Sequence, residues 1–215
     1  MSDVETLRAL RLRTPRLELR LATDDELRAL ARVAALGIHD PAEMPFEVAW
    51  TDNTGSASFE DDFLAFHGER LASVTPTHWR LELITFLDGE PIGSQGVGAD
   101  DFLAAREVFT GSWLGSAWQG QGIGTEQRGA VLTLAFDGLG ARAAVSAAWD
   151  QNHSSLGVSR KLGYVATGTR MAYPRGEPMP HTVQRLDAAA FRSPVAVEIE
   201  GLGDLRSSLG IDRLA

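Results

Sequence analysis

The sequence predicts an α/β (α+β) domain in which a mixed sheet carries helices on its faces. Three observations point there. Arg16–Ala22 alternates polar and apolar side chains, the period of a half-buried strand. Thr23-Asp24-Asp25-Glu26 has the S/T-x-x-E pattern that opens a helix. Two extended runs meet at Asp88-Gly89, a dipeptide suited to a tight hairpin.

The elements follow in order. After the strand Arg16–Ala22, residues Leu27, Leu30, Ala31 and Ala34 recur at helical spacing, and Gly37 is a plausible stop. Residues 39–55 hold Pro41, Pro45, Asn53 and Gly55 together with Met44, Phe46, Val48 and Trp50, which predicts a long but packed loop. Ser56–Arg70 reads as a second helix with Phe59, Phe63, Leu64 and Phe66 on one face. Trp79–Leu87 and Glu90–Val97 form the hairpin, and Glu107–Leu114 is the next strand. Gly122–Leu139 is a long helix, Ala143–Trp149 a strand and Asn152–Leu162 a short helix. Tyr164–Gly168 and Thr182–Leu186 are strands, and Val195–Ile199 is a candidate for one more at the end. The resulting order is β-α-α-β-β-β-α-β-α-β-β. Residues 1–190 are expected to form the main domain and 191–215 a C-terminal extension.

Composition narrows the function. The chain has 215 residues, one domain's worth or slightly more, with ordinary apolar content (44%) for a packed core. There is no cysteine, so disulfides, thiolate metal sites and a Cys nucleophile are excluded. The five histidines are scattered with no pair at i, i+4, and no metal is expected. A net charge of −9 disfavours duplex nucleic acid, whose phosphates need a basic face, and tolerates a cationic substrate such as an amine. Met1–Arg13 has no apolar stretch of the kind a signal peptide needs, and no run approaches the roughly 20 residues that span a bilayer. A cytoplasmic protein without a membrane partner is expected.

The chemistry concentrates after the strand Glu107–Leu114. Gly115-Ser116-Ala117-Trp118 leads into Gln119-Gly120-Gln121-Gly122-Ile123-Gly124 and then the long helix. The first N–H groups of a helix lack intrahelical partners and sit at its positive end, so such a terminus accepts phosphate if the backbone can come close. Three glycines at alternate positions remove the Cβ atoms that would prevent this. A P-loop would end in Gly-Lys-Ser/Thr, whereas Gly124 is followed by Thr125-Glu126, and the spacing G-x-G-x-G is not that of the dinucleotide fingerprint.

Gln119-x-x-Gly122-x-Gly124 resembles the Q/R-x-x-G-x-G/A signature of the GNAT superfamily of acyltransferases. A second segment, Asn152-His-Ser-Ser155-Leu-Gly-Val158-Ser159-Arg-Lys161-Leu162-Gly163-Tyr164, is similar to the same family's N-x-x-[A/S]…K-x-G-[F/Y] pattern. From Arg13 to Tyr164 the chain resembles the RimJ/RimL-like branch, with Thr14-Pro15-Arg16-Leu17 matching its usual opening. The loop from His39 to Phe46 and the run Gly111–Gly115 look like an actinobacterial subgroup that includes a mycobacterial succinyltransferase-like protein.

The resemblance implies a mostly antiparallel seven-stranded sheet whose fourth and fifth strands splay around coenzyme A. It implies an enzyme that moves an acyl group from acetyl-CoA or succinyl-CoA to a primary amine by direct attack in a ternary complex. The acceptor would be a protein N-terminus, a lysine or a small molecule. CoA contacts are implied at Trp113, Leu114, Gln119, Gly120, Gln121, Gly122, Ile123, Gly124, Thr125, Asn152 and Lys161. The common acid seven residues after the Asn is Tyr; here it is Ser159. The RimJ/RimL variant instead has Ser three residues after the Asn, which is Ser155. Residues 152, 155 and 159 share one helical face. A backbone N–H near Trp113 or Leu114 would polarise the thioester carbonyl. Candidate bases for the amine are Asp100, Asp101 and Glu107, with Glu82, His39 and His78 as others. Met44, Phe46 and Trp50 are expected to wall the acceptor site. A succinyl donor would need a cation near the acyl end, for which Arg106, Arg170 and Arg175 are candidates. Pairing of Val195, Val197 and Ile199 with another subunit's sheet edge suggests a homo-oligomer, with a dimer favoured. The competing expectation is a catalytically weak CoA-binding module acting as sensor or scaffold.

Overall fold

The computed structural model describes residues 4–213; residues 1–3 and 214–215, the ends of the segments read above as the N-terminus and the extension, lie outside them. The elements are α1 (Val4–Arg8), β1 (Arg11–Arg13), β2 (Leu17–Arg20), α2 (Asp24–Ala35), α3 (Phe59–Ala72), β3 (His78–Leu87), β4 (Glu90–Asp100), α4 (Phe102–Ala105), β5 (Glu107–Leu114), α5 (Ile123–Thr133), β6 (Ala143–Trp149), α6 (His153–Leu162), β7 (Val165–Ala172), β8 (Met179–Asp187), β9 (Glu198–Glu200) and α7 (Leu202–Ser208). They build one sheet in the order β7-β8-β6-β5-β4-β3-β2-β1-β9.

The sheet has nine strands rather than seven. The predicted opening strand Arg16–Ala22 is the second arm of a short hairpin. β1 pairs with β2, Arg11 opposite Arg20, and the turn between them is Thr14-Pro15-Arg16. Proline has no N–H to give a ladder, so the pairing breaks there, and the Thr14 N–H donates to the Leu17 carbonyl at 2.9 Å. At the far edge, β9 pairs with β1 of the same chain, Leu12 opposite Ile199. The strand expected at Val195–Ile199 is therefore shifted toward the C-terminus and is hydrogen-bonded within the chain.

Helices cover both faces. On one face α2 and α3 bury Leu27, Leu30, Ala31, Phe59 and Phe63 against Ile84 and Phe86. On the other, α5 packs Ala130, Val131 and Leu134 against Leu19, Leu81, Leu83 and Val108. Covering on both faces explains why Leu83-Ile84-Thr85-Phe86 reads as a continuous buried run rather than an alternation. The second core also takes in Leu7 and Leu10 near the start of the chain and Leu205, Leu209 and Ile211 near its end. At α2 the capping box forms as the sequence predicts. Thr23 Oγ1 accepts from the Glu26 N–H, and Glu26 Oε2 accepts from the Thr23 N–H, an arrangement worth about 1 kcal/mol. The Asp88-Gly89 turn has φ of 51° and 85°, the mirror-image turn that matches strand twist. The helix predicted over Gly122–Leu139 is α-helical to Thr133 and closes in a π turn at Leu134–Gly138.

One irregularity positions the site. All strand pairs are antiparallel except β5–β6, which is parallel and covers only Glu107–Phe109 against Ala143–Val145. Ser146 Oγ donates to the Thr110 carbonyl at 3.2 Å. Beyond that bond the two strands part, and the gap opens toward the start of α5.

Candidate active site

The turn after β5 is built to expose backbone. Gly120 and Gly122 have φ of +74° and +80°, a conformation that glycine reaches without strain. A Cβ on Gly120 would meet nothing within 4 Å, so this turn faces open space. Gly122 caps α5 with no side-chain bond to the first turn, which leaves helix N–H groups for an incoming anion. A Cβ at Gly124 would lie 3.5 Å from Val158 of α6, so that glycine serves helix contact.

Side chains brace the turn. Gln119 Nε2 donates to the Ile38 carbonyl at 2.6 Å and to the Leu114 carbonyl at 2.8 Å. The Gln119 side chain therefore shapes the turn and is not free for ligand. Gln121 Nε2 donates to the Ala117 carbonyl at 2.8 Å. Arg16, which the sequence reading placed only in a strand, reaches across to the turn. It donates to the Gln121 carbonyl at 3.2 Å and to Glu126 at 2.7 Å. Thr14 Oγ1 donates to the same carboxylate at 2.6 Å.

The gap between β5 and β6 widens into a cleft of about 710 Å³. Ser112 on β5, Asn152 capping α6, Ser155 on α6 and Arg128 on α5 line one side of it. Asn152 Oδ1 caps α6 by accepting from the Ser155 N–H at 3.0 Å, and the residue lines the cleft. Ser155 lines the cleft. Ser159 does not: it is fully buried, and its hydroxyl accepts from Arg128 Nη1 at 2.9 Å. The shared helical face therefore splits, with Ser155 at the cleft and Ser159 beneath it as a support for Arg128. Lys161 is exposed on the last turn of α6 and is not part of the cleft wall.

Glu82 occupies the opposite wall. It lies opposite Gly96 on β4, which lies opposite Gly111 on β5. A Cβ on Gly96 would come within 2.9 Å of Glu82 Oε2, and one on Gly111 would meet nothing within 4 Å. The carboxylate thus rests over a strip of two glycines that leads to the strand gap. Burial pushes its pKa up, tempered by Arg70 and Arg80. His181 on β8 also lines the cleft. It is 1% exposed, neither ring nitrogen has a hydrogen-bond partner, and burial holds its pKa down.

The other predicted bases stand elsewhere. Asp100 is paired with Arg80 at 2.9 Å and His78 at 2.6 Å, which hold its pKa down, and it is outside the cleft wall. Glu107 is ion-paired with Arg185 at the closed end of the β5–β6 pair and does not line the cleft. Asp101 begins α4 in a left-handed conformation on the surface. His39 is tied to Thr51 at 2.8 Å within the loop.

The loop at 39–55 is packed, but only part of it faces the cleft. Met44 is buried at 2% exposure, and Trp50 stacks among Phe46, Phe59, Phe63 and Trp113. Phe46 alone of the three predicted wall residues lines the cleft, with Pro45 and Glu47 beside it. Trp113 spends its side chain in that aromatic cluster, so any part it has at the donor site is through its backbone. The loop is held to the β7–β8 hairpin by the pairs Arg170–Glu47 and Arg175–Asp52. Arg106, the third predicted cation, donates to the Gly140 carbonyl at 3.0 Å, away from the cleft.

A glycine turn opening a helix beside two splayed strands, with an acidic wall opposite, defines the class of acyl-CoA-dependent N-acyltransferases. A model of the acetyltransferase (GNAT) domain matches residues 16–165. The chain belongs to this family. Among solved structures, RimJ of Mycobacterium smegmatis in complex with CoA-disulfide is 16% identical with a TM-score of 0.68, over 96% of this chain and 97% of that one. RimL, a ribosomal L7/L12 alpha-N-protein acetyltransferase in complex with coenzyme A, is 18% identical with a TM-score of 0.68, over 81% and 95%. The microcin C7 self-immunity acetyltransferase MccE, in complex with acetyl-CoA and AMP, is 14% identical with a TM-score of 0.63, over 80% and 93%. At these identities the likeness is one of fold. Among the described residues no group of His, Cys, Asp and Glu has the arrangement of a metal site, and no helix is long and apolar enough to cross a membrane.

Proposed function

We propose that the protein transfers an acyl group from acetyl-CoA or succinyl-CoA to a primary amine by direct attack in a ternary complex. The observation that carries this is the row Glu82–Gly96–Gly111, which gives a carboxylate a clear path to the strand gap. The free turn at Gly120–Gly124 would take the pyrophosphate, and the Asn152 amide the pantetheine arm. Thr110 turns its carbonyl toward β6, so alternation along β5 aims the N–H groups of Ser112 and Leu114 into the gap. Such donors would stabilise the charge that develops on the thioester oxygen. Glu82 would accept the proton of the attacking amine, and Ser155 would hydrogen-bond the departing thiolate.

The likeness to RimL, an alpha-N-protein acetyltransferase, favours a protein N-terminus as acceptor, with a lysine or a small amine as the other candidates. We further treat 1–190 as the catalytic unit, 191–215 as its extension, and the working form as a cytoplasmic homodimer. For the last, strand β7 supplies an open sheet edge where Val165 and Met171 are exposed, with exposed Tyr173 directly after it.

Release of free CoA from each donor, measured against a panel of peptides with free N-termini, lysine peptides and small amines, tests the reading. Turnover on at least one amine is expected. Tight CoA binding with no release on any of them would overturn it in favour of a non-catalytic CoA-binding module.

A further inference from the structure

Two cavities meet at Glu82. One is the cleft of about 710 Å³. The other, of about 70 Å³, lies between helices α2 and α3 and strand β3. Arg70, Arg80 and Glu82 line both and form the partition between them. Acyl transfer as proposed uses only the cleft side of that partition.

The smaller cavity suits water. One water needs about 10–15 Å³ of such space and two to four polar partners, so this cavity admits several. Arg8 of α1, Asp24 of α2 and His67 of α3 add polar groups to the three shared residues. Asp24 and Gly68 in its lining are exposed, so it opens to solvent. His67 packs on Phe63 with ring centres 4.7 Å apart, and burial lowers its pKa to about 4. The imidazole is therefore neutral at working pH, with one ring nitrogen to donate and one to accept. It can hold a water without adding a charge.

The charges favour outward movement of a proton. Burial pushes the pKa of Glu82 up, while Arg70, the nearby Ser94 hydroxyl of β4 and Arg80 oppose its protonation. Asp24 places negative charge at the exposed end of the cavity. A proton on Glu82 is repelled by the two arginines and drawn toward that end. During turnover, donor and acceptor fill the cleft and exclude water from its side. The second cavity stays open.

We propose that the proton taken from the amine leaves Glu82 through this second cavity, with His67 as the positioning residue for the water that receives it. The N–H bond of the attacking amine breaks and its proton goes to the carboxylate. The O–H bond so formed then breaks to a cavity water, the proton passes to bulk solvent, and Glu82 is again an anion. The inference rests on the acyl-transfer reading with Glu82 as base.

The first test needs no variant. With acetyl-CoA saturating and a peptide with a free N-terminus as acceptor, kcat/KM reports Glu82 before the acceptor binds, and kcat reports it with the cleft filled. A second opening to solvent should leave the limb set by Glu82 at the same pH in both, within about half a unit. If the cleft were the only way to water, filling it would dry the carboxylate and raise the kcat limb by about a unit or more. That result overturns the proposal. In the second test, His67→Phe keeps the ring against Phe63 and loses no charge, but removes both nitrogens. Its kcat should fall about 10-fold, a part of the 10²- to 10⁴-fold that a general base supplies, and its limb should move to higher pH. His67→Gln, which restores a donor and an acceptor, should recover most of that loss. A folded His67→Phe with the wild-type rate and profile overturns the proposal. Equal losses in both variants with an unmoved limb also overturn it, since they mark a packing role. If neither variant folds, the wild-type comparison decides. A fully active Glu82→Gln removes the base, and the inference with it. An inactive Glu82→Gln beside an unaffected His67→Phe removes the proton route alone.

Discussion

Replacing Glu82 with Gln removes one charge from the acceptor wall while keeping the shape that fills the strip over Gly96. The structure sets what should follow. The carboxylate is displaced toward its neutral form by burial and pulled back by Arg70 and Arg80. It therefore titrates above the ordinary carboxylate value, closer to working pH, where a base is most effective. A positioned general base contributes about 10²- to 10⁴-fold, so kcat in Glu82→Gln should fall by that factor, about 2.7 to 5.4 kcal/mol of barrier at 1.36 kcal/mol per decade. Donor affinity should be unchanged, because the glycine turn and the Asn152 amide are untouched.

The pH dependence carries the sharper signal. Only the carboxylate accepts a proton, so wild-type kcat/KM should rise with pH through the raised pKa of Glu82, and that limb should vanish in the variant. Glu82→Asp keeps the charge but withdraws it by about 1.5 Å, a shift large enough to cost on the order of 10²-fold. The assay is thiol release under saturating donor, from pH 5 to 9, with thermal unfolding as a folding control. A Glu82→Gln enzyme within threefold of wild type and with the same pH profile would refute the assignment. His181, buried and neutral in the same cleft, would then be the next base to replace.

Three further outcomes follow from particular residues. Gly122→Ala places a side chain at φ +80°, a strain of about 1–2 kcal/mol, and should lower stability by that amount in denaturant melts. Glu26 has its pKa lowered from 4.5 to about 2 by the Arg20 guanidinium, against the opposing effect of burial and with help from the Thr23 N–H. Its stabilisation is thus complete above pH 4.5 and lost as pH falls toward 2; Glu26→Gln should be less stable by about 1–2 kcal/mol at pH 7, with the difference closing in denaturant melts near pH 2. Phe46→Ala should change acceptor KM with a small loss of stability. Met44→Ala, at a buried position, should instead cost about 2–5 kcal/mol in melts and leave acceptor preference as it was.

Much of the frame was legible because its signals are local. The capping box at Thr23, the Asp88-Gly89 turn and the glycines at 120 and 122 each act through neighbours a few residues away. The reading failed where a residue's meaning depends on a distant partner. Glu126-Gln127-Arg128 carry no signal in the sequence beyond lying in a predicted helix, yet all three are buried at 4% exposure or less. Each has its partner far along the chain: Glu126 at Thr14 and Arg16, Gln127 at Thr85, Arg128 at Ser112 and Ser159. Ser159 and Ser155 share a helical face in sequence, but packing of α6 on α5 turns one inward. Asp100 and Glu107 sit near the fourth predicted strand, but Asp100 is paired with Arg80 on the adjoining β3 and Glu107 with Arg185 on β8, beyond β6.

The hairpin at the start of the chain shows why the phosphate turn is not an independent module. Thr14-Pro15-Arg16 looked like the lead-in to a strand, and Thr125-Glu126 like the first turn of a helix. In the fold they meet. Glu126 is buried at 4% exposure, so its charge must be answered on the spot. Thr14 Oγ1 and Arg16 Nε supply that answer, at 2.6 Å and 2.7 Å. The same guanidinium then donates to the Gln121 carbonyl, which holds the turn from outside while Gln119 holds it from within. Arg16 keeps 45% of its side chain exposed beside Gly122, so it adds positive charge where the helix dipole is already positive. The N-terminal hairpin therefore does two things at the glycine turn: it ties the start of α5 to the sheet, and it adds positive potential that a diphosphate bound there, as proposed, would meet.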